Sequence, residues 1–293
     1  MTPSELARKV RLIQLHTRRA VDSLIAGDYT SAFRGTGMEF EEVREYQPGD
    51  DVKSLDWNVT ARQGRPFVKR FREERERTIF FAVDLSASGA FGTAERSKND
   101  LAAELTAMLA LSAAKSNDKV GLAIFTNHLE HVIPPLKGSA GALRIVRDIL
   151  AFQPQGTQTS IANALDDLGR ILRRRATVFI LSDFQDHGYE RRLAAFTRRH
   201  DVIAITIADP AERHLPNVGL LSLQDPETGE LILFDTASAA CRHAFETAAQ
   251  QRLDTLADAL RAIDVDQLLL QTDQDIAKTL IAFFKTRAHH RRS

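Results

Sequence analysis

The sequence predicts an α/β fold: a doubly wound, mostly parallel sheet with helices on both faces. Two observations predict this fold class. From residue 77 onward, short apolar segments alternate with longer amphipathic ones, the order found in proteins built from strand–helix–strand units. The short segments are apolar at successive positions rather than at every second one, as expected of strands that helices cover on both faces. We expect this domain to occupy residues 77–293.

The N-terminal part, residues 1–76, is predicted to contain a helix and a small β-rich extension that packs on the main domain. Apolar residues recur every three to four positions between Leu6 and Leu24, with one interruption, which predicts a helix over residues 3–26. Residues 28–67 are rich in turn-forming residues and predict short strands and ordered loops. Residues 69–77 mix both signs of charge, so we expect a solvated, salt-bridged stretch there.

In the main domain, apolar runs of strand length predict five strands, at residues 78–83, 120–125, 177–181, 202–207 and 267–270. The second of these forms a hairpin with residues 131–134. Apolar spacing of three to four residues predicts helices at 94–116, 140–151, 159–172, 191–200, 238–262 and 276–287. The turn signal at residues 225–229 predicts a further hairpin between 220–223 and 231–234. We expect the tail 289–293 to be frayed.

The composition excludes several classes of function. Lys plus Arg and Asp plus Glu number 39 each, so the net charge is zero and gives no overall attraction to nucleic acid or to an anionic membrane. The single cysteine, Cys241, cannot form an intramolecular disulfide, which suits the cytoplasm. Residues 1–14 lack the apolar core of a signal peptide, and no run reaches the ~18 apolar residues of a spanning helix. We therefore expect a cytoplasmic protein without direct membrane insertion.

Oxygen-bearing side chains follow two of the predicted strands. Asp84, Ser86 and Ser88 stand at alternate positions where the first strand ends, and Asp183 follows the 177–181 strand. Ligands of open α/β sheets bind at the carboxyl ends of the strands, so these side chains converge if their strands are neighbours. Hard oxygen donors favour Mg²⁺. The alternative is a structural one, in which the same side chains cap turns and helices.

The order Asp-x-Ser-x-Ser, a later Thr and a later Asp resembles the metal-ion-dependent adhesion site (MIDAS) of von Willebrand factor A domains. By this resemblance, Ser86 and Ser88 bind Mg²⁺ directly, and Thr159 binds it directly or through water. Asp84 and Asp183 act mostly through water. The resemblance also implies a free coordination position for an Asp or Glu carboxylate of a partner protein, and Mn²⁺ or Ca²⁺ could replace Mg²⁺.

The threonine of this site is open between two residues. The run from Thr159 to Leu165 is similar to the Thr-x-x-x-x-Ala-Leu run of that family, whereas Thr157 directly follows Gly156. We prefer Thr159 because it stands directly before the apolar face that Ile161 begins.

Much of the chain, from about residue 10 to residue 285, resembles the MoxR-associated family called domain of unknown function 58. The similarity is densest in Gly35-x-Gly37-Met-Glu-Phe40, in Arg44-Glu-Tyr-Gln-Pro-Gly-Asp-Asp51 and in Asp56-Trp-Asn-Val-Thr-Ala-Arg62. It implies a partnership with a MoxR-type AAA+ ATPase in the assembly or maturation of other proteins. One departure is Gly89, where the family usually has Met.

Six residues of this N-terminal motif are candidates for a structural or partner-binding role: Arg44, Asp50, Asp51, Asp56, Trp57 and Arg62. We favour the structural role and expect an ion network of Arg44, Asp56 and Arg62 around Trp57. Elsewhere, the histidines show no metal-ligand spacing, and we expect surface positions for His128, His131, His187, His200 and His214.

The sequence therefore predicts a non-enzymatic, metal-dependent protein-binding module. The alternative is a Mg²⁺-dependent hydrolase of phosphate esters, which would need a phosphate-binding Gly-rich loop, a second acidic cluster or a nucleophile–base pair. We identify none of these in the sequence. A third possibility is a structural protein whose metal site stays empty.

Overall fold

The computed structural model describes residues 8, 10–12, 38–73, 77–93, 96–224 and 229–290. The chain divides into two compact units, one of which is Phe33–Arg77 and the other of which contains Thr78–Ser293. Most of the helix predicted over residues 3–26 lies outside the described residues. Residues 8 and 10–12 are helical, and Val10 packs against the buried residues Ala107 and Val146 of the larger unit.

The smaller unit is an antiparallel strand pair, β1 (Met38–Glu45) and β2 (Phe67–Glu73). Helix α1 (Trp57–Gln63) and a 3-10 turn (Val52–Ser54) lie between the strands in the chain. The first half of residues 69–77 is therefore strand, and its Lys69 is 41% exposed and lies 3.6 Å from Asp56, in keeping with the expected solvated, salt-bridged stretch. The backbone of that half pairs with β1, which satisfies its hydrogen-bonding groups.

The larger unit is built on a six-stranded sheet with the strand order β10-β7-β6-β3-β4-β5. Five strands pair in parallel: β3 (Thr78–Asp84), β4 (Lys119–Phe125), β6 (Thr177–Ser182), β7 (Asp201–Ala208) and β10 (Asp266–Gln271). The edge strand β5 (Leu129–Lys137) is antiparallel to β4. This topology confirms the predicted mostly parallel α/β sheet.

Among the described residues from Thr78 onward, six helices follow in chain order: α2 (Lys98–Lys115), α3 (Gly138–Ala151), α4 (Ile161–Ile171), α5 (Glu190–Thr197), α6 (Ala239–Ala262) and α7 (Ile276–His290). Short 3-10 turns lie at Ala87–Ala90 and Pro210–Glu212. The predicted second hairpin is also present, as the antiparallel pair β8 (Leu220–Gln224) and β9 (Leu231–Asp235). Among the described helices, none has both the length and the apolar character needed to cross a membrane.

Several helix ends differ from the prediction, among them the start of α3 at Gly138 and the end of α5 at Thr197, and two of the differences come from caps. Helix α2 begins at Lys98 because Ser97 and Asp100 form a capping box there. Helix α4 begins at Ile161, since the side chain of Ser160 caps it. Helix α7 continues to His290, so the expectation of fraying was wrong for residues 289–290, and residues 291–293 lie outside the described part.

The core explains why the strands are continuously apolar. Phe80 and Ala82 of β3 belong to a buried cluster with residues of α4 and α5, such as Leu165 and Leu193. Neighbouring side chains on a strand point to opposite faces, so Phe81 faces the other layer; its ring stacks on Phe179 of β6. Both faces are therefore covered, and each fully buried Phe contributes about 1.5–3 kcal/mol of burial free energy. Packing on both faces therefore fixes the position of the end of β3.

One histidine also belongs to this interior. His200 is only 3% exposed, and its ring lies 4.4 Å from the ring of Phe196. The expected surface position was therefore wrong for this residue. Burial, reinforced by the positive charges of Arg199 and Arg175, lowers the pKa of His200 to about 4.

Candidate metal centre

The carboxyl ends of β3 and β6 meet, because these two strands are neighbours in the sheet. Asp84 is the last residue of β3, and Ser182 is the last residue of β6. The hydroxyl of Ser182 donates a hydrogen bond of 2.7 Å to Oδ2 of Asp84. Strands β3 and β6 are thus neighbours, as the predicted convergence of Asp84 and Asp183 requires.

The loop after β3 presents two hydroxyls side by side. The backbone N–H of Ser86 donates to Oδ1 of Asp84 at 2.9 Å, a turn in which an Asp side chain binds the backbone two residues on. This turn leads into the 3-10 turn Ala87–Ala90. The Oγ atoms of Ser86 and Ser88 lie 3.1 Å apart, close enough for both to contact one small ligand.

The loop before α4 adds a third hydroxyl. Oγ1 of Thr159 donates to Oδ2 of Asp84 at 3.3 Å. Thr157 meets the β3 loop through its backbone, because its carbonyl accepts a hydrogen bond of 2.9 Å from the N–H of Ala87. Of the two candidate threonines, Thr159 therefore brings its hydroxyl to Asp84, whereas Thr157 joins the two loops.

Glu130 positions the loop before α4, which carries Thr159. Its carboxylate accepts hydrogen bonds from the backbone N–H groups of Gln155 and Gly156, at 2.8 and 2.9 Å. A Cβ at Gly156 would lie 2.3 Å from Oγ1 of Thr126, so the close approach requires glycine at this position. The loop that carries Thr159 is thus fixed against the end of β4.

Asp183 lines the same small cavity, of about 10 Å³, as Asp84, Ser86 and Ser88. The structure therefore brings together all five predicted site residues. Asp183 is also held by its own neighbours, since its Oδ1 accepts from the N–H of Gln185 at 3.1 Å.

Two charged residues that the sequence reasoning missed complete this centre. Nζ of Lys98 lies 2.8 Å from Oδ2 of Asp183 and 2.7 Å from Oε1 of Glu212. Lys98 is the first residue of α2, where a cation is unfavourable beside the positive end of the helix dipole. That unfavourable position is the local signal that could have marked it. Nothing comparable marks Glu212, which stands in a short 3-10 turn after β7.

The charges at this sheet end perturb one another. Burial and, after it, the nearby negative charge of Asp183 raise the pKa of Asp84 to about 6, although hydrogen bonds from Ser86 and Ser182 oppose the shift. Burial acts to lower the pKa of Lys98, but attraction to Asp183 and Glu212 outweighs it and the pKa is raised. Lys98 is therefore a charged ammonium in the wall of the cavity.

The donor set fits a hard divalent cation. Ser86, Ser88 and Thr159 offer neutral hydroxyl oxygens, and Asp84 and Asp183 offer carboxylates in hydrogen-bonding reach of waters on such a cation. A cavity of about 10 Å³ is close to the space that one water molecule needs. Within the described residues, no group of three or more His, Cys, Asp or Glu could hold a metal ion, so a cation at this place relies on the hydroxyls.

Gly89 allows a neighbouring side chain to close over the β3 loop. A Cβ at this position would lie 2.0 Å from Oδ1 of Asn99, an overlap that no contact tolerates without a shift of the amide. Glycine at this position thus leaves room for Asn99 to pack against the loop, and Asp84, Ser86, Ser88 and Asp183 line the cavity.

The candidates of the smaller unit use their polar groups locally. Arg44 forms a two-pronged ion pair with Asp50, at 2.7 and 2.9 Å. Asp51 accepts from the N–H of Lys53 and caps the 3-10 turn. Asp56 accepts from the N–H groups of Asn58 and Val59 and caps α1.

The expected ion network around Trp57 was wrong. Asp56 pairs with Lys69, at 3.6 Å, and Arg44 is engaged by Asp50. Arg62 is exposed in the last turn of α1, and Trp57 is 69% exposed. The caps take up the acidic oxygens that the network would have needed.

Comparison with protein families and known proteins places this chain among uncharacterized relatives. A family model described as "Protein of unknown function DUF58" matches residues 42–254. The uncharacterized protein Rv1480 of Mycobacterium tuberculosis is 34% identical over 286 residues, which are 97% of this chain and 90% of that protein. YeaD of Bacillus subtilis, also uncharacterized, is 25% identical over 140 residues, covering 48% of this chain and 33% of that protein.

Solved structures with a similar fold are more distant. The conserved hypothetical protein BatB from Bacteroides thetaiotaomicron is 16% identical with a TM-score of 0.46, covering 73% of this chain and 99% of that one. The SpRpn10 VWA domain is 12% identical with a TM-score of 0.37, covering 70% and 93%. Because these TM-scores are low, the fold of this chain rests on the strand order of its own sheet.

Proposed function

This chain belongs to the family described as protein of unknown function DUF58, and on that premise we propose that it is a metal-dependent protein-binding module. The observation that carries the proposal is that Asp84, Ser86, Ser88 and Asp183 line one small cavity and that the hydroxyl of Thr159 bonds to Asp84 beside it. Three separate loops supply these residues, which a set of local caps would not require.

The roles of the residues follow from their chemistry. The paired hydroxyls of Ser86 and Ser88 would hold Mg²⁺ directly, together with Thr159. Asp84, oriented by Ser182 and by the N–H of Ser86, would bind the waters of the ion. When bound, Mg²⁺ would supply a coordination position for an external carboxylate, because neutral hydroxyls leave much of its charge uncompensated. Mn²⁺ or Ca²⁺ could take its place.

The partner in this proposal is a protein that presents an Asp or Glu side chain. We place the chain beside a MoxR-type AAA+ ATPase, in the cytoplasm, as an adaptor in the assembly or maturation of client proteins. The support for this partner is the resemblance of the N-terminal motif, and the single cysteine suits that compartment. We assign the chain no catalytic step.

Isothermal titration of Mg²⁺ into chelator-treated protein tests the metal dependence. Asp84→Asn keeps the shape of the side chain but removes its charge, and we expect binding about tenfold to a hundredfold weaker than in the wild type. Asp50→Asn, in the smaller unit, is the matched control and should bind Mg²⁺ as the wild type does. Equal Mg²⁺ affinity in Asp84→Asn and in the wild type would contradict the proposal.

A pulldown with the AAA+ ATPase tests the partner. Wild-type protein should retain the ATPase in Mg²⁺ and lose it when a chelator is added, whereas Asp84→Asn should retain little in either condition. Retention that is the same with and without chelator would separate partner binding from the metal centre.

A further inference from the structure

Lys98 is buried although it carries a charge. Its side chain is 3% exposed, and a lysine is almost never buried to this extent unless it is paired. The pairing is provided by Asp183 and Glu212, at 2.8 and 2.7 Å. These contacts join α2 to the loops that follow β6 and β7, so the ammonium is held in place from two sides.

The acceptors of Lys98 are themselves fixed. Oε2 of Glu212 accepts a hydrogen bond of 2.9 Å from the backbone N–H of Asp209. Asp209 is fully buried, and the hydroxyls of Thr93 and Thr272 donate to it at 2.5 and 2.7 Å. Because Glu212 is held by this chain of contacts, the ammonium of Lys98 cannot leave its place without breaking its two ion pairs, to Asp183 and to Glu212.

Asp183 is restrained by the same arrangement. Its Oδ2 faces Lys98 and its Oδ1 accepts from the N–H of Gln185, so both oxygens already have donors. Lys98 lines the cavity together with Asp183 and Asp84, whereas Glu212 does not. The ammonium, shared between Asp183 and Glu212, therefore offsets one of the three carboxylates of Asp84, Asp183 and Glu212.

From this arrangement we propose that Lys98 is a built-in countercharge that makes cation binding depend on a partner's carboxylate. The inference rests on the proposed metal-dependent function and names its regulation. A divalent cation therefore meets one negative charge fewer than the three carboxylates alone would present, and the site itself binds it more weakly. An external carboxylate supplies the missing charge, and by linkage the cation and the carboxylate strengthen each other's binding by the same factor.

The test is titration of Mn²⁺ alone, and of Mn²⁺ with excess acetate, into the full chain, with chloride at equal ionic strength as the reference. Wild-type protein should bind Mn²⁺ weakly in chloride and more tightly in acetate. Lys98→Met should bind Mn²⁺ about tenfold more tightly in chloride, because a nearby positive charge is removed, and should gain less from acetate.

Three variants separate charge from packing. Lys98→Arg keeps the charge and should behave as the wild type. Lys98→Met combined with Glu212→Gln leaves one carboxylate, that of Asp183, without its ammonium instead of two. This double variant replaces Lys98→Met in the titration if the single variant unfolds. It should still bind Mn²⁺ more tightly than the wild type. Glu212→Gln alone should bind no more tightly than the wild type.

The outcomes are distinct. If Lys98→Met and the double variant bind Mn²⁺ no more tightly than the wild type, the countercharge role is overturned, although the metal site stands. The role is also overturned if Lys98→Arg tightens binding as Lys98→Met does. If neither the wild type nor any variant binds Mn²⁺ in chloride or acetate, the proposed function fails and this inference with it.

Discussion

The sheet end of the larger unit and the motif of the smaller unit are both polar, but they connect residues over very different distances along the chain. At the sheet end, Asp84 bonds to Thr159 and Ser182, 75 and 98 positions away. Lys98 bonds to Glu212 across 114 positions. In the smaller unit, Arg44 reaches Asp50 over six positions.

The tertiary fold brings together the groups of the sheet end, whereas turns and helix ends account for most contacts of the motif in the smaller unit. Hydrogen bonds over two to six positions satisfy the backbone of turns and helix ends, and any chain with those turns needs them. Bonds across some 100 positions bring together groups whose local backbone has no need of them. A distinctive motif such as that around Asp50 and Asp56 is thus compatible with a purely local role, whereas the weaker signal at Asp84 leads to the candidate centre.

The largest effect should come from removing both hydroxyls of the β3 loop. Ser86→Ala combined with Ser88→Ala should weaken Mg²⁺ binding more than about a hundredfold, since the direct oxygen ligands are lost while Asp84 remains. Isothermal titration measures this loss, and Asp51→Asn in the smaller unit is the control. Unchanged Mg²⁺ affinity in the double variant would mean that the polar groups of the sheet end also serve only as caps.

A second effect concerns the buried His200 of the larger unit. Its pKa of about 4 lies below the ordinary value of about 6.5, so the unfolded chain binds a proton at pH 5 that the native protein does not. This proton has no effect on stability well above pH 6.5, and its destabilising effect grows as the pH falls toward 4. The free energy of unfolding should decrease by about 2 kcal/mol between pH 7 and pH 5 on this account.

Urea unfolding at the two pH values measures this decrease. His200→Phe keeps an aromatic ring beside Phe196 but cannot titrate, so its loss between pH 7 and pH 5 should be smaller by that amount. An equal loss in His200→Phe and the wild type would show that other groups govern the acid sensitivity.

A smaller effect should follow removal of a local cap. Asp56→Ala takes the capping oxygens from the N-terminus of α1 and should lower the stability of the smaller unit, with no change in Mg²⁺ affinity. Hydrogen exchange of the α1 amides reports the local loss, and titration reports the affinity. A change in Mg²⁺ binding would contradict the separation of the two regions.

The smallest effect is expected at Trp57. Its side chain is 69% exposed, so Trp57→Ser should change the free energy of unfolding by less than about 0.5 kcal/mol. Urea unfolding provides the measurement. A loss of more than about 2 kcal/mol would mean that this tryptophan is packed in the native protein and that the motif is structural throughout.

Much of the larger unit was predictable because its signals are local. An apolar run such as Ile79–Val83 predicts a buried strand wherever it is placed, and the capping box at Ser97 marks a helix start. The oxygen donors of Asp84, Ser86 and Ser88 can be predicted equally well, since they stand where the strand ends. Asp183 is found in the same way, because it follows the 177–181 strand, whereas the resemblance to known motifs singled out Thr159.

Other features depended on packing and were missed. Helix α1 lies within residues 28–67, where turn-forming residues predicted short strands and ordered loops, and strand β2 is defined by its pairing with β1. His200 was expected on the surface because nothing in its neighbours along the chain predicts burial. The network expected of Arg44, Asp56 and Arg62 failed for a related reason, because caps closer in the chain satisfy Asp56 first.

By itself, the sequence determined the order of strands and helices and the chemistry of the donors at each strand end. Only the tertiary structure decided that β3 lies beside β6, that Thr159 reaches Asp84, and that Lys98 is buried between Asp183 and Glu212. The physical reason is that periodicity reports how each segment meets its immediate surroundings. The choice of neighbours across some 100 residues is made by the strand order of the whole sheet, and that choice places an ammonium against the candidate metal centre.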